Sequence, residues 1–97
     1  LGIDADLSQN HKKMLYVSID IDVFRPETAP ATGYPMPGGL DYKDVHDLLE
    51  KVSHYFQIIG FDLVEYAPNL DLKNEMTGIL CAKIISEFIA SIYKELQ

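Results

Sequence analysis

The stretch VSIDIDVFRPETAP, residues 17–30, ends an apolar run with two aspartates, Asp20 and Asp22, and continues into a proline-containing segment. Carboxylates are poor strand formers and are costly to bury without a partner. A strand that finishes with two like charges one residue apart therefore needs something that offsets their repulsion. A shared proton, an arginine or a metal ion could each do so, and an oxygen-binding divalent ion such as manganese would do so most strongly.

The composition is that of one small globular domain. The chain has 97 residues, of which 47% are hydrophobic and 24% are charged. With 15 acidic against 8 basic residues, the net charge is −7, which argues against a nucleic-acid partner and would tolerate a small cationic substrate. The single cysteine, Cys81, excludes an intrachain disulfide, is expected to pack as a core residue, and favours a cytoplasmic location.

No targeting or membrane segment is predicted. We find no apolar run of membrane-spanning length and no signal-peptide pattern in residues 1–13, so we expect no membrane partner. The sequence also begins without a methionine, which is consistent with a processed or truncated piece of a longer protein.

Apolar runs and chain breakers divide the rest of the sequence. Residues 14–21 predict a strand that is apolar on both faces, which is typical of a strand covered by helices on both sides. Residues 23–40 hold four prolines and three glycines, which predicts a long ordered loop of the kind that often serves a site. Residues 58–68 predict a second buried strand that ends at Pro68.

Two helices are predicted from apolar stripes at helical spacing. Residues 41–56 begin at a plausible N-cap, Asp41, and residues 74–96 form the last helix. The inner stripe of the first is Val45, Leu48, Leu49, Val52 and Phe56, and that of the second is Met76, Ile79, Leu80, Ile84, Phe88, Ile92 and Leu96.

The resulting order is strand, helix, strand, helix, and a βαβα order implies parallel strands joined by right-handed crossovers. Two strands alone make a poor sheet with unpaired edges. We therefore predict an α/β fold in which residues 1–97 are the C-terminal βαβα segment of one larger domain, a three-layer α/β/α parallel sheet.

The acidic residues at the strand ends are the candidate site. Residues two apart in a strand point to the same side, so Asp20 and Asp22 should lie together, and Glu65 ends the second strand. Ligands of parallel sheets bind outside the carboxyl ends of the strands, so we expect the three carboxylates to converge on one rim. The alternatives are a solvated strand end, or carboxylates that cap loop amides.

Other titratable residues are assigned structural or solvent-facing roles. Asp62 is expected to bond neighbouring backbone. His46 and His54 lie off the inner stripe of the first helix and are expected to be solvated.

Two stretches resemble the signature of the ureohydrolases, the arginase and agmatinase family. SIDID, followed by PETAPATGYPMPGGL, runs over residues 18–40 and matches the aspartate pair, the prolines and the glycines of that signature in register. GFDLVEYAPNLD, residues 60–71, resembles the next strand and turn of the family, and its E-x-A-P-x-x-D form is nearer to agmatinases than to arginases. The resemblance covers residues 14–96 and corresponds to the C-terminal third of a family member.

The resemblance implies a chemistry. In that family a centre of two manganese ions activates a water that attacks the guanidinium carbon and releases urea and an amine. By resemblance, Asp20 and Asp22 are manganese ligands and Glu65 holds the guanidinium group of a small cationic substrate. The leading reaction is hydrolysis of agmatine to putrescine and urea, a step of polyamine metabolism, and a homo-oligomer, either a trimer or a hexamer, is expected.

The sequence departs from the family pattern in three places. Arg25 stands where the family usually has an aspartate, and Tyr34 replaces a threonine near the substrate pocket. The remaining family ligands, a histidine and a D-x-H-x-D group, have no counterpart in these residues. A non-catalytic structural or assembly fragment with an incomplete metal site therefore stays open, as do arginase or guanidinobutyrase specificity and an aspartate-nucleophile phosphatase.

Overall fold

Two strands and two helices alternate along residues 12–33 and 37–97, the part of the chain that the computed structural model describes. The order is β1 (Met14–Asp20), a 3-10 turn (Ile21–Val23), α1 (Tyr42–Tyr55), β2 (Gln57–Val64), a 3-10 turn (Pro68–Leu70) and α2 (Met76–Glu95). The predicted order of elements is confirmed. Tyr34, the residue predicted near the substrate pocket, lies outside the described residues.

The strands pair in parallel, as predicted, and their carboxyl ends are level. Leu15 lies opposite Ile58 and Tyr16 opposite Gly60, so Ile59 is the extra residue of a bulge in β2. Beyond the bulge the register is regular and places Asp20 opposite Val64. β2 ends earlier than predicted because the next residue, Glu65, has a left-handed φ of 69° that no strand can continue.

One hydrophobic core joins the sheet to both helices. Ile19 of β1, Leu49 of α1 and Phe88 of α2 belong to the same buried cluster, and the Phe61 and Phe88 rings meet edge to face with centroids 4.9 Å apart. The opposite face of β1 is open, because Met14 is 68% exposed. Within the described residues the helices thus cover one face instead of both, and the chain supplies a sheet and one helical layer.

The inner stripes of the helices differ in part from the prediction. In α1 the buried residues are Val45, Leu49 and Ser53, whereas Leu48 is partly exposed in a groove between α1 and β1. In α2 the buried residues are Thr77, Cys81, Ile84 and Phe88. The prediction was wrong for Ile79 and Leu96, which are 63% and 75% exposed. Ile79 lies about 200° around the helix from Thr77, on which the buried stripe is centred, and Leu96 follows the last residue of α2.

The length of α2 also corrects an expectation about apolar runs. By length and composition alone, this 20-residue helix, which contains an 18-residue window with a mean hydropathy of 1.4, could cross a membrane. Core helices pass the same criteria, and the fully buried Ile84 and Phe88 tie α2 to the sheet.

The proline-rich loop is closed at its base by backbone pairing. The Arg25 N–H donates to the Leu40 carbonyl at 3.0 Å, and the Leu40 N–H donates to the Val23 carbonyl at 2.9 Å. The Arg25 Nε also lies 3.2 Å from the Asp41 Oδ1, and Asp41 is the N-cap of α1, as predicted. Arg25 therefore ties the end of the loop to the start of the helix.

Gly39 is required at this closure, and Gly39→Ala is expected to destabilise the protein. A Cβ at Gly39 would lie 2.8 Å from the Val23 carbonyl oxygen, and the residue has a φ of +95°. We expect a loss of about 1–3 kcal/mol in the free energy of unfolding, measured by urea denaturation.

Gly33→Ala is the matched control, since no described atom lies within 4 Å of a Cβ built there. Its effect should stay within about 0.5 kcal/mol. Equal effects of the two substitutions would contradict the proposed closure.

Candidate active site

Asp20 and Asp22 lie side by side through a turn. β1 ends at Asp20, which caps the 3-10 turn that contains Asp22, and the Asp22 N–H donates to the Asp20 Oδ1 at 3.0 Å. The prediction that strand alternation aligns the pair was therefore wrong in detail, because only Asp20 is in the strand. The turn brings the carboxylates together instead.

The pair carries an unrelieved like-charge interaction. Partial burial raises the pKa of Asp22, and the hydrogen bond and charge of Asp20 and the charge of Glu65 raise it further. None of these causes is a positive group. This is the electrostatic condition that a bound cation would relieve.

Glu65 follows β2 directly and has a strained backbone. Its φ of 69° lies in the left-handed region, which non-glycine residues rarely occupy and which is enriched at functional sites. Its charge acts on Asp22. Glu65 thus belongs to the same end of the sheet as the aspartate pair.

The described residues would supply only part of a metal site. Carboxylate oxygens are suitable donors for a hard divalent ion, so Asp20 and Asp22 fit as ligands. However, residues 12–33 and 37–97 contain no group of three or more histidine, cysteine, aspartate or glutamate residues that could hold an ion. The expected convergence of three carboxylates is therefore limited to the adjacent aspartates, with Glu65 within electrostatic reach.

Asp62 has a structural role, as predicted, but its partners differ. It accepts hydrogen bonds from the Ser18 hydroxyl at 2.6 Å and from the Tyr16 hydroxyl at 3.0 Å, both on β1. The prediction of backbone partners was wrong because Asp62 lies directly opposite Ser18 in the parallel register.

The two helix histidines lie beside surface carboxylates, and the His54 side chain is 62% exposed, as expected for a solvated residue. The His46 Nδ1 lies 3.3 Å from Asp47, and the His54 Nδ1 lies 3.3 Å from Glu95. Neither contacts the aspartate pair in the described hydrogen bonds.

Asp71 is a residue near the carboxyl ends of the strands that sequence reasoning missed. Its Oδ1 accepts the Leu72 and Thr77 amides at 2.8 and 3.0 Å, and its Oδ2 accepts the Gly78 amide at 2.9 Å. The Tyr66 hydroxyl donates to the same Oδ2 at 3.0 Å. Its place in the E-x-A-P-x-x-D pattern, six residues after Glu65 and just before α2, is the signal that could have identified it.

The charge of Asp71 is strongly favoured in the folded state. Partial burial raises its pKa, but hydrogen bonds from Gly78, Thr77 and Leu72 outweigh burial and lower the pKa to about 2. A carboxylate at the beginning of a helix is also favoured by the exposed amides of the first turn.

Acid titration should therefore weaken the fold through Asp71. Its folded pKa lies below the ordinary value of 3.8, so its stabilisation is fully present above about pH 4 and is lost as the pH falls through about 2. Asp71→Asn should be less stable than wild type at pH 7, and the difference should shrink between pH 4 and pH 2. Thermal unfolding across that range tests this, and a difference that stays constant with pH would contradict it.

Comparison with known proteins places these features in a family. Residues 3–91 match the model of the Arginase family. An N(1)-aminopropylagmatine ureohydrolase of Thermus thermophilus is 45% identical over 66 residues, which cover 68% of this chain and 22% of the relative. The mitochondrial arginase 1 of Arabidopsis thaliana is 37% identical over 82 residues, 84% of this chain and 23% of the relative.

A solved structure agrees with the fold. The agmatine ureohydrolase of Thermoplasma volcanium superposes with a TM-score of 0.75 at 43% identity, covering 84% of this chain and 27% of that one. The chain thus spans about a quarter of the length of these proteins. The match over residues 3–91, together with the parallel α/β fold, shows that this chain belongs to the Arginase family.

Proposed function

We propose that this chain is part of a manganese-dependent ureohydrolase that cleaves a guanidino compound, with agmatine hydrolysed to putrescine and urea as the leading reaction. The observation that carries the proposal is the Asp20–Asp22 pair, whose mutual repulsion calls for a cation at the ends of two parallel strands. Family membership supports a binuclear metal centre in the full-length protein.

The three carboxylates receive separate roles in this proposal. Asp20 and Asp22 would be metal ligands, because they are adjacent and no positive group among the described residues contributes to the pKa shift of Asp22. A bound divalent ion supplies Lewis acidity, which makes water a usable nucleophile near neutral pH. Glu65 would hold the planar guanidinium group by charge-assisted hydrogen bonds, which carboxylates form in a bidentate geometry.

Agmatine is preferred among guanidino substrates on two grounds. The E-x-A-P-x-x-D pattern of residues 65–71 is of the agmatinase type, and two of the relatives above are named for agmatine or an aminopropyl derivative of it. Tyr34, in the loop after the aspartate pair, is proposed to adjoin the substrate. A cytoplasmic homo-oligomer, trimeric or hexameric, is part of the same proposal.

A non-catalytic role for the isolated chain has one observation in its favour. The described residues supply two adjacent carboxylates and no third metal donor beside them, whereas hard ions in proteins take about six ligands. We therefore assign turnover to the full-length protein and expect the 97-residue chain alone to be inactive.

Urea release tests the proposed reaction. With manganese, the full-length protein should release urea from agmatine faster than from arginine or guanidinobutyrate. Asp22→Ala should abolish release, and Glu65→Gln should lower kcat/KM about 10- to 100-fold, since a hydrogen bond to a charged group is lost. No urea from any guanidino compound would overturn the proposal, and phosphate release from a generic phosphoester would favour the phosphatase alternative.

Removal of the repulsion should stabilise the metal-free protein. Because the folded pKa of Asp22 is raised above 3.8, its contribution to stability is fully present below about pH 4 and is lost as the pH rises through the folded pKa. Asp22→Asn should therefore raise the Tm of the metal-free protein at pH 7, and the gain should vanish below about pH 4.

Two comparisons control that experiment. Glu27→Gln removes one charge from an exposed loop position and should leave the Tm nearly unchanged. Manganese should raise the Tm of wild type more than that of Asp22→Asn, because ligands stabilise only the state that binds them. A metal-free Asp22→Asn protein that melts at or below the wild-type temperature at pH 7 would contradict the interpretation.

A further inference from the structure

Three separate segments meet beside Glu65 through the backbone of Ala31. The Ala67 N–H donates to the Ala31 carbonyl at 2.8 Å, and the Ala31 N–H donates to the Thr77 hydroxyl at 3.2 Å. Ala31 and Thr77 are both 0% exposed. The loop after β1, the segment after β2 and the first turn of α2 are thus tied by buried hydrogen bonds.

Thr77 connects this chain of bonds to Asp71. Its hydroxyl accepts from the Ala31 amide. Its backbone amide also donates to the Asp71 Oδ1. Asp71 in turn is fixed at the beginning of α2 by the Leu72 and Gly78 amides.

Tyr66 provides a second connection between Asp71 and the rim. It is the neighbour of Glu65 in the sequence, and its hydroxyl donates to the Asp71 Oδ2. The Tyr66 hydroxyl packs closely against the first turn of α2, because a Cβ at Gly78 would lie 2.6 Å from the Tyr66 hydroxyl oxygen. Asp71 therefore holds the residues one and two positions after Glu65, the first through Tyr66 and the second through Thr77, Ala31 and Ala67.

Such support is what the backbone of Glu65 requires. A non-glycine residue at a φ of 69° persists only where its surroundings over-determine it. β2 has already ended at Val64, so regular strand geometry does not fix the backbone conformation of Glu65.

We propose that Asp71 and Thr77 are positioning residues that hold Glu65 in its left-handed conformation and so aim its carboxylate at the substrate. The part that concerns substrate rests on the proposed function. None of the hydrogen bonds in this network reaches Asp20 or Asp22, so its loss should affect substrate binding and spare metal binding.

Thr77→Val in the full-length protein is the direct test, since valine keeps the shape of threonine and removes the hydroxyl. With manganese and agmatine, we expect KM to rise about tenfold, as for the loss of one buried hydrogen bond, with a smaller change in kcat. The manganese Kd, measured by calorimetry, should stay within about twofold of wild type. Hydrogen exchange at the Ala31 and Ala67 amides should accelerate, while exchange in β1 should not.

Three further variants make the test specific. Thr77→Ser keeps the hydroxyl and should restore KM and the slow exchange. Tyr66→Phe removes the second connection and should raise KM in the same direction. Ser86→Ala removes another α2 hydroxyl, which only bonds the Ala82 carbonyl of its own helix at 2.8 Å, and should match wild type.

The outcomes separate this proposal from the function on which it partly rests. The positioning role of Thr77 would be overturned if Thr77→Val kept the wild-type KM and the wild-type exchange rate at the Ala67 amide. It would also be overturned if Thr77→Ser failed to restore the KM and the slow exchange. A parallel loss of manganese affinity would also overturn it, because the effect would then be general disruption of the site. If wild type releases no urea, the proposed function and the substrate role of Glu65 fall together, and exchange at Ala67 alone still decides whether Thr77 holds the segment.

Discussion

The parallel pairing of β1 and β2 is the constraint on which the candidate site depends. It brings Asp20 opposite Val64, so that Asp22 and Glu65 emerge at the same end of the sheet, where parallel α/β proteins bind their ligands. The bulge at Ile59 contributes to this alignment. If the same sequence paired without a bulge, every later residue of β1 would lie opposite a β2 residue one position earlier, and the side chains of β2 would exchange faces.

The rim is unfavourable in itself and is supported from elsewhere in the fold. Partial burial and the neighbouring carboxylates of Asp20 and Glu65 raise the pKa of Asp22, and Glu65 has a left-handed backbone, so both features oppose folding. The support comes from the beginning of α2, where Asp71 is hydrogen-bonded by three amides and by Tyr66. Strained or electrostatically unfavourable groups at the strand ends, supported by a neighbouring carboxylate whose hydrogen bonds are satisfied, are typical of functional sites.

The sequence predicted the features that depend on local pattern and missed those that depend on distant partners. The order of elements, the N-cap at Asp41 and the candidate carboxylates follow from apolar periodicity and from charges placed where a strand should not hold them. The buried stripe of α2 was misjudged because Thr77 is polar, and its buried hydroxyl is satisfied by a hydrogen bond from the amide of Ala31, 46 residues away. The 3-10 turn at Asp22 was missed because a D-x-D pattern fits an extended strand equally well.

Arg25 departs from the family pattern without neutralising the negative charge at the carboxyl ends of the strands. A positive charge three residues after Asp22 would be expected to neutralise the aspartate pair. Instead its guanidinium is directed at Asp41, at the base of the loop, and it is absent from the causes that shift the pKa of Asp22. The charge that replaces an acid is thus used to close the loop, and the ends of the strands stay negative. The proposed site would attract a metal cation and a guanidinium cation, and the Arg25 guanidinium, which is directed at Asp41, does not compete with them there.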